Sequence, residues 1–423
     1  MRRDVYDLSH FSFMSGKMGR LMTLALIPNV AGDSIGINFR GIFRLSPLRR
    51  NLVVDAHCDL YVFWVPHRHV YGDDWINFIK QGVDEAITFD TVDYTGTNGI
   101  EYLGAPRLTG VNPLWPLAGY NRIWNRYFRV PTDTSAVLAD TAPGTDADTQ
   151  AFGRLCARIK SIWSTGIDET TDVSDREVST AGNVMDILSL RQIQARYQSE
   201  QTRDYFGQRY NDLLKATWGS NVNIDADERP QMLWKSQNFL SGYDVDGTGD
   251  ATLGQYSGKS VGTMSFDMPR RYLPEHGALY VMALLRFPTI HINEIHYLHN
   301  QSQPTYKQIS GDPEVWKGEP PLDHEVQDFF AGSSDSTDLG HMPYGQWYRW
   351  HPHTVHDQFR QLQGFTFGTD DPTSKDTARY VQATEYNDTF ANEALAQWHS
   401  QARIGVIAAR PITSALQSIY AGV

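Results

Sequence analysis

Three kinds of residue in this sequence have types and spacings that could do chemistry: an acidic loop, three histidine clusters, and arginines set among aromatic rings. The acidic loop, SGYDVDGTGD at 241–250, holds Asp244, Asp246 and Asp250. Laid on a helix–loop–helix calcium site, Asp244, Asp246, Thr248, Gly249 and Asp250 fill positions 1, 3, 5, 6 and 7. Position 12 then falls on Gln255, an amide that lacks the charge of the required bidentate carboxylate. No pair of flanking helices is legible either. The segment reads as a glycine-rich turn whose Asp side chains bond to their own backbone, with Asp244, Asp246 and Asp250 as a weak cation candidate.

The clustered histidines are His67 and His69 in VPHRHVYG, His291, His296 and His299 in HINEIHYLH, and His351, His353 and His356 in HPHTVH. None has the H-E-x-x-H pattern that sets two ligands and a base on one helical face. There is no G-x-S-x-G, and neither cysteine, Cys58 nor Cys156, sits in a familiar nucleophile context. GKMGR is not a phosphate loop, and GTGDATLG lacks the preceding strand and following helix. A carboxylate pair for glycoside hydrolysis can be chosen in too many ways to mean anything unaided. The residues therefore predict no catalytic centre, no metal and no cofactor.

Arginine is locally concentrated. Arg40, Arg44, Arg49 and Arg50 lie close together, and NRIWNRYFR at 121–129 sets Arg122, Arg126 and Arg129 among Trp124, Tyr127 and Phe128. Guanidinium groups meet phosphates while rings stack on unpaired bases, so this mixture suits single-stranded nucleic acid. Ordinary ion pairing and subunit contact explain it more simply, and both readings stay open. The net charge of -12 and pI near 5.6 argue against a chain that wraps polynucleotide by itself. A nucleic-acid role would be local, or shared with a basic partner.

The elements that must carry these residues are mostly strands. The runs at 20–30, 34–46 and 55–66 are rich in β-branched and aromatic residues and are punctuated by Pro28, Gly32, Pro47 and Pro66. Gly41 interrupts the second run and suggests a bulge. In the third, Ala56, Cys58, Leu60, Val62 and Trp64 form one apolar stripe, which predicts a buried, inert Cys58 thiol. Strand patterns return at 277–288, 345–352 and 402–411. Between them, 67–185 reads as long loops with short helical pieces, and 186–270 as mostly loops and helices, with the clearest helical spacing over 186–219. The stretch at 133–150 reads as an exposed loop. Pairing the first strands with the last makes one large antiparallel unit spanning 1–423, with big insertions, rather than two domains.

Composition agrees with this. With 11 Trp, 21 Tyr and 19 Phe the chain can bury a sizeable core. Two cysteines are too few for a disulfide framework and favour a reducing compartment. The mean hydropathy of -0.43 and the lack of any apolar run near 18 residues predict no membrane span, and the opening MRRDVYDLSHFSF lacks the apolar stretch of a signal peptide.

Several blocks, in order along the chain, resemble one family. SHFSFMSGKMGRLMTL, RLSPLRR, FWVPHRHVYGDDWINFIKQGV, RDYFGQRYNDLL, SGYDVDGTGDATLGQYSG, PEHG, GQWYRW and QWHSQARIGVIAARP are similar to the major capsid proteins (F type) of the Microviridae, small icosahedral phages with circular single-stranded DNA. The resemblance implies a mainly β fold, an eight-stranded antiparallel jelly roll with long loop and helix insertions. It implies a structural coat subunit and no enzyme, assembling through pentamers into a T=1 shell of sixty copies in the virion, after assembly in the host cytoplasm. The implied partners are further copies, a pentameric spike protein, a small basic DNA-packaging protein, scaffolding proteins and the single-stranded DNA genome, with no membrane. On this view Arg49, Arg50, Arg122, Trp124, Arg126 and Arg129 are candidates for the inner surface or an interface, and His67, Arg68, His69, Tyr71 and Trp75 for subunit contacts. A glycan-binding or glycan-cleaving jelly roll is the rival class, expected to be a monomer or small oligomer with a cleft.

Overall fold

The computed structural model describes residues 3–48, 54–75, 88–93, 101–104, 111–129, 229–240, 260–288 and 396–410, with a few isolated positions between them. Within these residues the chain is mainly β. The strands are β1 (Asp4–Asp7), β2 (His10–Gly16), β3 (Met22–Asn29), β4 (Asp33–Leu45), β5 (Ala56–Pro66), β6 (Thr91–Asp93), β7 (Val111–Pro113), β8 (Gln231–Leu240), β9 (Ser260–Leu273), β10 (Gly277–Arg286) and β11 (Trp398–Arg410). Helix α1 (His67–Tyr71) follows β5, and α2 (Trp115–Ile123) runs into a π-helical turn at Trp124–Phe128.

Two antiparallel sheets carry the core. One has the order β1-β11-β4-β9, with β2 also paired to β11. Strands β2 and β1 share one edge of β11, β2 opposite Trp398–Ile404 and β1 opposite Ile407–Arg410. The other sheet has the order β3-β10-β5-β8. Strands β6 and β7 make a separate small ribbon. The first strands of the chain pair with the last, as the sequence predicts, and a single apolar cluster draws on both sheets.

The sheets differ in how their sequences alternate. In β4 every second residue from Asp33 to Leu45 is buried, which is the pattern of a strand with one wet face. In β5 and β10 nearly every residue is buried, so the middle of that sheet is covered on both sides, while its edge strand β8 keeps an exposed face. The second cover of the middle is α2 and the π-helical turn. Tyr61 and Phe63 meet Phe128 with ring centroids 5.2 and 5.9 Å apart, and the Tyr280 hydroxyl donates to the Trp115 carbonyl at 2.8 Å. Gly119 permits this approach, since a Cβ there would lie 2.0 Å from the Tyr280 hydroxyl oxygen.

Buried charge ties the two sheets at one corner. Asp33, fully buried at the start of β4, accepts from Arg410 Nε at 3.1 Å and from the Val30 amide at 2.9 Å. Arg410 also donates to the Pro28 carbonyl on β3 at 2.9 Å.

Sequence expectation and structure part company in three places. Strand β8 occupies 231–240, inside the region 186–270 read as loops and helices, and β9, at 260–273, begins inside it. Strands β1 and β2 lie ahead of the first predicted run. Gly41 is not a bulge: it pairs in unbroken register with Ala402 and Met264. Its missing side chain makes room for the Phe39 ring, which would lie 3.0 Å from a Cβ at Gly41 and which stacks on Phe266 at 5.2 Å. The irregularity in β4 comes between Ile35 and Ile37, where the Arg270 stem lies over Gly36. The helical reading over 186–219, the loop at 133–150 and most of the strand at 345–352 fall outside the described residues.

Candidate assembly surfaces

Helix α1 gathers most of the predicted contact residues. Pro66 ends β5, its ring unable to donate to a ladder, and the chain turns into α1 directly. His67 then packs its ring against Trp75 at 5.0 Å, Trp115 at 5.4 Å and Tyr71 at 6.4 Å. Tyr71 and Trp75 continue the group to Phe89 at 4.5 and 5.7 Å. Burial, with the His276 imidazole as a second cause, holds the His67 pKa down to about 4, so the ring is neutral at pH 7. Burial likewise raises the Tyr71 phenol. His69 is buried, while Arg68 grips Glu275 with two bonds, Nε to Oε2 at 3.0 Å and Nη2 to Oε1 at 3.2 Å. His67, Tyr71 and Trp75 thus come together as one aromatic knob at the end of β5, with Arg68 and the buried His69 on the same helix.

The second predicted group is split by depth. Trp124 and Phe128 are each 8% exposed and belong to the core, so the Trp124 ring holds its element in place. Tyr127 is the more exposed ring, and its hydroxyl donates to the Pro230 carbonyl at 2.7 Å. Arg122, Arg126 and Arg129 are half-buried on the same layer. This layer covers β5 and β10, on the far side of that sheet from β4 and β11. Arg49, Arg50, Asp244, Asp246 and Asp250 lie outside the described residues, as do His291, His296, His299 and His353.

Cys58 is fully buried within β5, and burial, with Asp59 next to it, pushes its thiol well above the ordinary range. Such a thiol is inert, as the sequence predicts. Asp59 itself pairs with Arg286 across the ladder.

One surface was not singled out as a unit by sequence. The solvent side of the β2-β11-β4-β9 sheet has no described element over it, and it carries Phe11 at 68% and Phe13 at 71% exposure. Register places Arg403 opposite both Phe11 and Arg40, Gln401 opposite Phe13 and Ile42, and His399 opposite Ser15 and Arg44. The usable signal was the even spacing of Arg40, Ile42 and Arg44 on an alternating strand, which fixes them to one face.

The comparisons with known proteins agree from end to end of the chain. A family model described as Capsid protein (F protein) matches residues 1–176 and 172–420. Capsid protein F of Escherichia phage G4 is 37% identical over 416 residues, 98% of this chain and 96% of its own length. Capsid protein F of Enterobacteria phage phiK is 36% identical over 424 residues, 99% of this chain and 97% of its own. That of Escherichia phage alpha3 is 35% identical over 427 residues, with the same two shares of 99% and 97%.

Proposed function

This chain belongs to the F-type capsid protein family of the Microviridae, and on that premise we propose that it is the major coat subunit, assembling through pentamers into a T=1 shell of sixty copies around a circular single-stranded DNA genome. It is a structural protein of the virion and not an enzyme. The glycan-cleaving alternative lapses with that membership.

The observation that carries the finer reading is the strand order. With β1 and β2 sharing one lane, each sheet has four lanes, β2-β11-β4-β9 and β3-β10-β5-β8. Successive strands from β2 to β5 then pass between sheets in the sequence that an eight-stranded jelly roll requires. This sandwich supplies a rigid wedge, and the insertions supply contacts. A closed shell needs complementary patches repeated about fixed axes, and each contact can be weak because every subunit makes several at once.

The α1 knob and the α2 layer are our proposed subunit contacts. Half-buried aromatics beside arginine are what such interfaces use as anchors. Arg122, Arg126 and Arg129 belong to this contact set rather than to a genome-facing surface, if the bare sheet lines the interior. Further proposed partners are a pentameric spike, a small basic packaging protein and scaffolding proteins, with assembly in the host cytoplasm. The acidic net charge of -12 supports a division of labour in which a separate basic protein neutralises most of the genome.

Sedimentation velocity tests the reading, on the protein alone and then co-expressed with the neighbouring open reading frames of its genome, with electron microscopy of fast species. Five-fold oligomers, or icosahedral particles on co-expression, are the expected result. A stable monomer under every condition would contradict it.

A further inference from the structure

We propose that helix α1 and the turn between β9 and β10 form an acid-sensitive clasp: protonation of His67 beside His276 frees the aromatic knob from the sandwich and loosens the shell contact that the knob makes. The inference rests on the proposed role of the knob as a subunit contact and adds its regulation.

The first support is how α1 is held. A helix of five residues does not stand alone in water, so its position is set by what it touches. It lies beyond the β5–β10 ladder, which ends with Pro66 opposite Gly277, and it can leave without breaking ladder bonds. Pro66 bounds it on one side and Gly72, at φ 59°, on the other. The turn at 274–276 fixes it. There the His67 amide donates to the His276 carbonyl at 2.9 Å, and Arg68 binds Glu275 through two bonds. The Trp75 ring neighbours both imidazoles, 5.0 Å from His67 and 6.0 Å from His276.

The second support is that the turn is the fixed jaw. Asn29, at the end of β3, donates to the Glu275 carbonyl at 2.7 Å and accepts from Trp64 Nε1 at 3.0 Å. The Ala31 amide donates to His276 Nδ1 at 3.3 Å, so this nitrogen acts as an acceptor when the clasp is closed. A proton on it ends that bond.

The third support is charge. On the described elements around His67, the turn brings His276 and Glu275, and behind it Asp33 is held by Arg410. Its own helix brings Arg68, His69 and Tyr71, with Asp73 and Asp74 just beyond and Asp90 next to Phe89. Helix α2 sets Trp115 against it, and the only charged residue of α2, Arg122, is two turns further on. None of these carboxylates offsets a proton on His67; burial and His276 both act against it and hold its pKa at about 4. Swung into water, the ring returns toward 6.5. The open form therefore binds more protons between those limits, and the clasp, fully held above pH 6.5, weakens as pH falls toward 4. Opening becomes about 100-fold more favourable between pH 7 and pH 4.

The test is labelling of the full chain carrying Val70→Cys with a pyridyl disulfide, each rate being divided by that of a free thiol at the same pH. Val70 is partly buried on α1, and Cys58, fully buried in β5, reports opening of the whole sandwich. Peptide mapping separates the introduced thiol from Cys58 and Cys156. The corrected rate at the introduced thiol is expected to rise about 100-fold from pH 7 to pH 4 while Cys58 stays unreactive. Adding His67→Phe, which keeps a ring in place, should cut that rise at least tenfold, to about tenfold or less. Hydrogen exchange of the α1 peptide in the wild-type and His67→Phe chains gives the same reading without the added thiol. The clasp is overturned if exposure of α1 does not rise in acid, if His67→Phe leaves the rise unchanged, or if Cys58 reacts in step. In particles made by co-expression, wild-type shells should break into smaller species near pH 4 while His67→Phe shells persist. Equal acid stability of the two overturns the regulatory role and leaves the coat reading intact; failure of the wild-type chain to form any shell sinks that reading instead.

Discussion

The two sheets are built from the same kind of antiparallel pairing but answer to different surroundings. In the two inner strands of β3-β10-β5-β8, β10 and β5, both faces are dry, and the strand GALYVMALLR is apolar almost throughout, whereas the edge strand β8 exposes Met232 and Phe239. In β2-β11-β4-β9 one face is dry and the other wet, and β4 and β11 alternate. The difference teaches where stability is stored and where function is displayed. Rings in the covered sheet hold the fold, while rings on the bare sheet contribute almost nothing to it and are available to another molecule.

The sharpest way to break this contrast is to remove one phenylalanine from each sheet. Phe63→Ala in the covered sheet removes a fully buried ring that meets Tyr61, Tyr127 and Phe128, and should cost about 3–5 kcal/mol in urea unfolding. If it costs no more than a surface change, the insertion layer is not packed as described.

Arg410→Met tests the corner that joins the sheets. It leaves the Asp33 carboxylate buried without its cation, which should cost about 3 kcal/mol, read as a lower denaturation midpoint with an unchanged slope. A double change that also replaces Asp33 with Asn should recover part of the loss.

The pH dependence sharpens the contrast from the covered side. The folded-state pKa of His67, about 4, lies below its unfolded value near 6.5. The unfolded chain therefore binds more protons between those limits, and stability present above pH 6.5 is lost as pH falls toward 4. The loss from this one group reaches about 3 kcal/mol at most. His57 is also lowered, chiefly by burial, and acts in the same direction. Melting temperatures of His67→Phe across pH 4–7 should fall less steeply than those of the wild type.

The smallest effect belongs to the bare sheet. Phe13→Ala should change the stability of the isolated chain by less than about 0.5 kcal/mol, because the ring is mostly in water already. A loss comparable to that of Phe63→Ala would mean that another part of the chain covers this face.

Much of this contrast was legible in the sequence, for identifiable reasons. The runs that became β3, β4, β5, β10 and β11 carry strong β-formers, and the Cys58 stripe correctly marked a dry face. Strand β9 was missed because Gly262, Pro269 and a pair of arginines interrupt it. Yet Met264, Phe266 and Met268 alternate inward with polar residues between them, a period-two signal that outweighs those breaks. Strand β2 hides for the opposite reason: its phenylalanines point outward while Ser12 turns in and donates to the Leu24 carbonyl at 2.6 Å. A rule that puts apolar residues inside misplaces that strand. Trp124 shows the limit of motif reading, since an aromatic among arginines can serve packing alone.

The most direct test of the account is thiol labelling at Ser265→Cys, on the bare face beside Arg40, with a bulky maleimide and the wild-type chain as the background. The account predicts rapid labelling of the free subunit and protection in assembled particles that is lifted when they are disrupted. Equal labelling of free and assembled protein would place this sheet on the outside of the shell and contradict it.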